Sequence, residues 1–229
     1  MHPCTLPDDL RAHLIARHGR PHRFDRLDPA RAALVVIDMQ QIFCAEGALL
    51  EVPMARAIVP AINRMAAAMR GAGGLVVWVR SSFPPSGRDW HVMFDAVMPP
   101  GFGAQIREGL QMGRPGHAYA DGLVPASGDL EVEKDRFSAF LPGACPLPGL
   151  LRGRGIDTVL IAGTMTNVCC ESSARDAMME NFRVIMLADA NAARSDGEHM
   201  ASLITIARSF GDVQTVAEAI GYLRATANA

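Results

Sequence analysis

The sequence predicts an α/β fold: a three-layer α-β-α arrangement around a mainly parallel, six-stranded sheet. Along the chain, short runs of β-branched and apolar residues alternate with segments of helical periodicity. This alternation is typical of strands joined by crossover helices, which cover both faces of a parallel sheet. A length of 229 residues is enough for one such domain with a substantial core.

The domain is expected to start after an N-terminal extension. Residues 1–30 form this extension and residues 31–229 the domain; within the extension, residues 6–18 have the spacing of a short amphipathic helix. The first strand, Ala32–Ile37, is apolar throughout, as expected of a strand buried on both faces, and it ends at Asp38.

A long segment interrupts the alternation after the second strand. Helical periodicity over residues 54–69 stops at a glycine-rich turn, and a strand follows at residues 75–79. The next segment, residues 81–127, is rich in glycine and proline. Loops this long inside a compact domain are usually functional lids or carry small helices of their own, so we expect this one to shape a binding pocket.

The alternation then resumes to the end of the chain. Strands are predicted at residues 129–133, 158–162, 183–187 and 213–216. Helices are predicted at residues 147–154, 168–180, 197–209 and 217–224. Together with the first two strands, these elements complete the predicted six-stranded sheet.

Composition argues against several function classes. The formal net charge is −2 without a long basic run, so no nucleic-acid or membrane-surface partner is expected. No apolar stretch is long enough to span a bilayer, and the first residues lack the apolar core of a signal peptide. Five cysteines without paired spacing favour reduced thiols and a cytoplasmic location. Seven scattered histidines form no metal-binding pair, so no metal or other cofactor is expected.

Cys169 lies where a helix begins after the carboxyl end of a predicted strand. Backbone N–H groups point outward at such a position and the helix dipole favours an anion, so the thiol pKa is expected to fall toward neutrality. The same N–H groups can stabilise an oxyanion. The position suits a nucleophile, although free cysteines are usually small core residues.

The neighbouring Cys170 competes for this role. Successive helical residues point about 100° apart, so only one of the two can share the buried stripe of the helix. The spacing of a packed face is followed by Cys170, Ala174, Ala177, Met178 and Asn181. We therefore predict that Cys170 is a core residue and that Cys169 faces the carboxyl edge of the sheet.

Three predicted strands lead to a reactive side chain: Asp38, Lys134 and, one turn later, Cys169. Ligands of open α/β sheets bind outside the carboxyl ends of the strands, which meet at one edge. A carboxylate, an ammonium and a thiol there make a functional nucleophile, although each also has an ordinary structural use. Arg80 ends another strand at this edge and is expected to form a surface ion pair.

At these residues the chain resembles the isochorismatase-like cysteine hydrolases. The shared motifs are Ala33-Leu-Val-Val-Ile-Asp-Met-Gln-Gln-Ile-Phe43, Glu133-Lys-Asp-Arg-Phe-Ser-Ala-Phe140 and Gly163-Thr-Met-Thr-Asn-Val-Cys169. Among the members, the ureidoacrylate and N-carbamoylsarcosine amidohydrolases are most similar in motif. The resemblance implies a Rossmann-like single domain that assembles as a homodimer or homotetramer. It also implies cleavage of an amide, ureido or carbamoyl C–N bond of a small molecule through a thioester, with release of ammonia or an amine.

The resemblance further implies roles for individual residues. Asp38, Lys134 and Cys169 would form a catalytic triad. The backbone N–H groups of Met165 and Cys169 would form an oxyanion hole, next to a cis peptide bond between Thr164 and Met165. Members that bind zinc or iron carry extra ligands after the first motif, but residues 44–51 contain no histidine, so no metal is expected.

Substrate contacts are predicted around the same motifs. Phe43 lies where the family places an aromatic wall, Trp90 lies in the predicted lid, and Phe137 follows Lys134. Core packing is the alternative for these aromatic residues. Gln40 is predicted to hydrogen-bond at the site, although a buried amide satisfied by the backbone fits it equally well.

Three alternative functions stay open at this point. A thiol-dependent redox protein would use the adjacent Cys169 and Cys170, but a disulfide between helical neighbours has poor geometry. A non-catalytic oligomeric binding module would keep the fold without the chemistry, and the intact set of three reactive residues argues against it. An isochorismatase-type hydrolase would cleave another small-molecule bond, but true isochorismatases lack the nucleophilic cysteine.

Overall fold

Six strands form one sheet in the computed structural model, which describes residues 1–84 and 89–227. The strands are β1 (Ala32–Ile37), β2 (Leu75–Ser81), β3 (Leu130–Lys134), β4 (Thr158–Thr164), β5 (Arg183–Ala192) and β6 (Asp212–Gln214). Their order across the sheet is β3-β2-β1-β4-β5-β6, and every neighbouring pair is parallel. The predicted α/β fold with six strands is confirmed.

Helices cover both faces of this sheet. They are α1 (Asp8–His18), α2 (Gln41–Cys44), α3 (Ala55–Gly71), α4 (Phe102–Gly109), α5 (Leu147–Arg152), α6 (Glu171–Met179), α7 (Asp196–Thr205) and α8 (Val216–Ala227). Helices α1, α5, α6 and α7 contribute to one hydrophobic core, and α3 and α8 contribute to the other. None of the helices in the described part of the chain is long and apolar enough to cross a membrane.

The apolar run of β1 supplies side chains to both hydrophobic cores. Its side chains alternate between the faces of the sheet, because successive strand residues point to opposite sides. One core receives Ala33, Val35 and Ile37, and the other receives Ala32, Leu34 and Val36. All six residues are buried, as the continuous apolar pattern predicts.

Among the elements that differ from their predicted bounds, two differ for a local reason. Strand β5 extends to Ala192, five residues beyond the predicted end, because the β4–β5 register shifts between Ile161 and Gly163 and β5 pairs with β4 again at Asn191 and Ala192. The predicted helix over residues 168–180 begins instead as a π-helical turn, Thr166–Cys170, before α6. Both changes lie at the carboxyl edge of the sheet.

The predicted lid carries small elements of its own, as expected. A π-helical turn at Val92–Val97 and helix α4 pack around a small core of Ile42, Phe94, Ile106 and Leu110. Residues 85–88 of the predicted lid, and residues 228 and 229 of the predicted domain, lie outside the described residues.

The N-terminal extension packs on its own domain. Leu10 and Leu14 of α1 are buried in the core that α5, α6 and α7 share. Farther along, the Phe24 N–H donates to Asp212 Oδ2 at 3.1 Å, and Arg23 Nη2 donates to the Ala207 carbonyl at 2.6 Å. The extension is therefore joined to the β6 edge of the sheet by polar contacts as well as by burial.

A charged cluster adds to these contacts between the N-terminal extension and the β6 edge. His22 Nδ1 lies 3.3 Å from Asp212 Oδ1, and His22 Nε2 lies 3.3 Å from Glu218 Oε1. Burial alone would lower the pKa of His22, but its hydrogen bonds to the two carboxylates raise that pKa to about 9. The hydrogen bond with His22 lowers the pKa of Glu218 to about 2. His22 therefore stays protonated, and Glu218 ionised, from acidic to mildly alkaline pH.

We expect His22→Gln to destabilise the protein by roughly 2–3 kcal/mol near pH 6 and by much less near pH 10. A histidine with a raised pKa contributes fully below its ordinary value of 6.5 and loses that contribution as pH rises through about 9. Urea denaturation at both pH values measures the free energy of unfolding. His13→Gln, at an exposed position on α1, is the control. Equal destabilisation by His22→Gln at both pH values would contradict the ionised cluster.

Candidate active site

Asp38 follows β1 in a left-handed backbone conformation, with φ of 52°. Aspartate tolerates this conformation better than most residues. Two neighbouring strands hold its backbone: the Asp38 N–H donates to the Val79 carbonyl at 2.9 Å, and Thr164 Oγ1 donates to the Asp38 carbonyl at 3.0 Å. The turn leaves the carboxylate fully buried at the carboxyl edge of the sheet.

Lys134, the last residue of β3, places its ammonium at the centre of the site. Nζ lies 2.8 Å from Asp38 Oδ2, 2.7 Å from Ser81 Oγ, 3.1 Å from the Arg136 carbonyl oxygen and 3.6 Å from Cys169 Sγ. An ammonium has three N–H donors and meets four acceptors here. The contact with sulfur is the longest, so it is the one that can strengthen when the thiol ionises. The structure thus brings the three predicted residues together.

Sequence reasoning missed Ser81, the last residue of β2. Its Oγ donates to Asp38 Oδ1 at 3.0 Å and accepts from Lys134 Nζ, so it links both charged groups. The sequence offers one signal for Ser81. Adjacent strand residues face opposite sides of the sheet, so Ser81 must face away from Arg80. Arg80 lies on the other face and pairs with Glu131 Oε2 at 3.0 Å, as predicted.

The two cysteines occupy the positions that the helical spacing predicts. Cys169 lines a cavity, whereas Cys170 is fully buried in the same core as Ala174 and Ala177. Met178 is 38% exposed, contrary to the predicted stripe, because at helical spacing it points about 80° away from Cys170. Both cysteines are free thiols.

The pKa of the Cys169 thiol moves in the opposite direction from the sequence-based expectation. Burial raises it far above the ordinary value, the negative charge of Asp38 adds to this, and Lys134 opposes it. Burial also opposes the charged form of Lys134, but Asp38 and Cys169 raise the pKa of that ammonium. In this buried site the loss of hydration affects the thiol pKa more than the helix start does, so the resting thiol is neutral.

Gly163 brings the end of β4 against the end of β1. Its φ is 120°, and a Cβ at this position would lie 2.0 Å from the Ile37 carbonyl oxygen, so only glycine fits. The next peptide bond, between Thr164 and Met165, is cis, as the resemblance implied. Met165 and Cys169 then both line the cavity.

The cavity beside Cys169 has a volume of about 190 Å3 and mostly apolar walls. Phe43, Trp90 and Phe137 line it. The ring centroids of Trp90 and Phe137 are 4.9 Å apart in an edge-to-face arrangement, so the two rings form one wall. Contact of these aromatic residues with a substrate stays a prediction.

Gln40 is not among the residues that line the cavity, and its surroundings fit the alternative of a buried amide satisfied by the backbone. The side chain is fully buried, and its Nε2 donates to the carbonyl oxygens of Ser81 and His117 at 3.1 and 3.2 Å. Its Oε1 accepts from the Ser81 N–H at 2.8 Å. The amide is satisfied by backbone groups, so Gln40 joins β2 to the loop that contains His117.

Two arginines that sequence reasoning missed also line the cavity. Arg136 is occupied, because its Nη2 donates to the Asp89 carbonyl at 2.7 Å and its guanidinium carbon lies 4.9 Å from the centre of the Trp90 ring. Arg194 follows β5 and is exposed, and no carboxylate among the described residues lies within ion-pair distance of it. Within residues 1–84 and 89–227, no three or more His, Cys, Asp or Glu side chains gather as metal ligands.

The chain is similar to known proteins over nearly its whole length. A family model described as the isochorismatase domain matches residues 32–218. Ureidoacrylate amidohydrolase RutB of Methylobacterium radiotolerans is 33% identical, over 94% of this chain and 91% of that protein. Maleamate amidohydrolase of Pseudomonas putida is 32% identical, over 85% and 87%. The crystal structure of a cysteine hydrolase from Pseudomonas syringae pv. phaseolicola has a TM-score of 0.81 at 33% identity, covering 90% of this chain and 97% of that one.

Lys134 is the only lysine in the chain, so its side chain can be observed alone. In protein with isotope-labelled lysine, we expect one side-chain NMR resonance that keeps the ammonium form above pH 10.5, the ordinary pKa, because Asp38 and Cys169 outweigh burial. Asp38→Asn should lower that pKa, since burial then meets less opposition. Ser82→Ala, one residue beyond β2, is the control and should leave it unchanged. Deprotonation of wild-type Lys134 below pH 10.5 would contradict this electrostatic arrangement.

Proposed function

The chain belongs to the isochorismatase family and is an amidohydrolase of carbon–nitrogen bonds other than peptide bonds, and we propose that Cys169 is its nucleophile and forms a thioester. One observation carries the proposal: the Lys134 ammonium lies 2.8 Å from Asp38 Oδ2 and 3.6 Å from Cys169 Sγ. A thiol becomes an effective nucleophile when a base can take its proton and a cation can stabilise the thiolate.

Asp38 is the proposed base for the first step. It accepts the proton of Cys169 Sγ, while Lys134 stabilises the thiolate that forms. Because burial holds the thiol neutral in the resting site, we assign this proton transfer to the moment at which the sulfur attacks the substrate carbonyl. The new bond joins Sγ to the carbonyl carbon.

The remaining steps use the same groups. The oxyanion accepts hydrogen bonds from the backbone N–H groups of Met165 and Cys169, each contributing about 3 kcal/mol to a lower barrier. Asp38 returns its proton to the leaving nitrogen, and the C–N bond breaks with release of ammonia or an amine. Water then attacks the thioester as Asp38 accepts a proton from it. The acid leaves, and the thiol is restored.

The cavity supports a small substrate that carries a carboxylate. At about 190 Å3 it is smaller than the range of roughly 300–1,000 Å3 common for drug-sized ligands. Arg194 supplies a guanidinium that has no carboxylate partner among the described side chains, and arginine matches carboxylate geometry. The aromatic walls suit a planar group. Two relatives act, by name, on ureidoacrylate and maleamate, which combine these properties.

We expect Cys169→Ala to abolish ammonia release from maleamate and ureidoacrylate, because no thioester can form. Cys170→Ala should keep most of the activity, since Cys170 is a packed core residue. Rapid acid quenching followed by peptide mass spectrometry should detect an acyl group on Cys169 in the wild-type enzyme. Activity in Cys169→Ala, or its loss in Cys170→Ala with a folded protein, would contradict the proposed nucleophile.

We expect Arg194→Gln to raise the KM for maleamate about tenfold with little change in kcat, because the carboxylate loses a charged hydrogen bond away from the reacting carbon. The methyl ester of maleamate, which is neutral, should show little change. Steady-state kinetics on both compounds measure the difference. Arg208→Gln removes another exposed arginine and is the control. An equal rise in KM for the ester would contradict carboxylate binding at Arg194.

A further inference from the structure

The second residue of the chain is buried next to the turn between β5 and α7. His2 is 5% exposed and lies outside the residues that the family model matches. Its Nδ1 is 2.6 Å from Asp196 Oδ1, and its Nε2 is 3.1 Å from both the backbone nitrogen and the carbonyl oxygen of Ala193. Ala193 and Asp196 enclose Arg194 and Ser195, so the His2 ring spans this turn.

Both ring nitrogens of His2 have a use in this position. When Nδ1 carries the proton, the ring donates to the Asp196 carboxylate and accepts from the Ala193 N–H. The Asp196 side chain is 68% exposed, so its hydrogen bond with His2 contributes little by itself. The buried bond to the Ala193 backbone is the stronger restraint, because an unsatisfied buried N–H is costly.

A second set of contacts links His2 to the turn that contains Met165 and Cys169. The His2 ring stacks on His199, with centroids 4.6 Å apart and planes inclined by 18°. His199 Nδ1 lies 2.9 Å from Thr166 Oγ1, and Thr166 directly follows Met165. Burial, with His2 nearby, lowers the pKa of His199 to about 4, so the stacked partner is neutral at neutral pH. The same ring thus lies behind both turns that line the cavity.

Arg194 depends on its backbone for its position. Its side chain is exposed and pairs with no described carboxylate, and a free arginine side chain samples many rotamers. The region that its guanidinium can reach is therefore set by the turn at residues 193–196. Fixing this turn narrows the range and keeps the cation at the cavity wall.

We propose that His2 is a positioning residue for the active site: by holding Ala193 and Asp196, it keeps Arg194 directed toward an anionic substrate. The proposal rests on the proposed function, in which Arg194 binds the substrate carboxylate. An apolar residue at position 2 would also fill the space behind the turn. It would not accept the Ala193 N–H, and the turn would lose its buried restraint.

Alkylation of Cys169 tests this proposal without the natural substrate. Iodoacetate carries a carboxylate, whereas iodoacetamide carries a neutral amide. In each reagent the methylene carbon bonds to the Cys169 sulfur and iodide leaves. The rate constant for iodoacetate divided by that for iodoacetamide, measured on the Cys169 peptide by mass spectrometry, reports how strongly the site attracts a carboxylate. N-acetylcysteine gives the ratio for a free thiol. Wild-type protein should exceed that ratio, and Arg194→Gln should lower it close to the free-thiol ratio.

His2→Ala should lower the ratio about fivefold, through slower reaction with iodoacetate alone. Its melting temperature should stay within a few degrees of wild type. His2→Gln, whose side-chain oxygen can accept from the Ala193 N–H, should restore most of the ratio. His13→Ala removes an exposed histidine of α1 and should leave the ratio unchanged.

Three results would overturn the proposal. If Arg194→Gln lowers the ratio and His2→Ala does not, the positioning role of His2 fails and the proposed function stands. If His2→Ala slows both reagents equally, His2 acts through packing around the thiol and the positioning role fails. If Arg194→Gln leaves the ratio unchanged, carboxylate binding at Arg194 fails together with the role of His2.

Discussion

The buried ion pair between Lys134 and Asp38 is the interaction on which the rest of the site depends. Both side chains are fully excluded from solvent, at a distance of 2.8 Å. Transfer of two charges out of water costs several kcal/mol each, so such pairs rarely add to stability. Here Ser81 and the carbonyl oxygen of Arg136 provide further hydrogen bonds that offset this cost. A pair maintained in this way fits a chemical role better than a structural one.

The strand order explains how distant parts of the chain reach this pair. Strands β3, β2, β1 and β4 are consecutive across the sheet, and their carboxyl ends supply Lys134, Ser81, Asp38 and the turn with Cys169. The chain reverses its direction of winding between β1 and β4, which is where open α/β sheets bind ligands. Gly163 permits the close approach at this point, so one residue without a side chain brings the turn with Cys169 toward Asp38.

Much of the fold and the core of the site could be predicted from the sequence, because both leave local patterns. Apolar runs identified most of the six strands, and the angle between successive helical residues separated Cys169 from Cys170. The features that the sequence did not reveal depend on residues that are distant along the chain. A serine after a strand is an ordinary residue until Asp38 and Lys134 surround it, and His2 meets Asp196 across 194 positions. The pKa of the Cys169 thiol could not be predicted because burial, which dominates it, has no local pattern.

The solitary lysine has a practical consequence. A protease that cleaves only after lysine finds one peptide bond in this chain, between Lys134 and Asp135, and would yield residues 1–134 and 135–229. The Lys134 side chain, which such a protease must bind, is buried against Asp38. Digestion in native buffer therefore reports how often this part of the molecule opens, because cleavage requires the ammonium to leave Asp38.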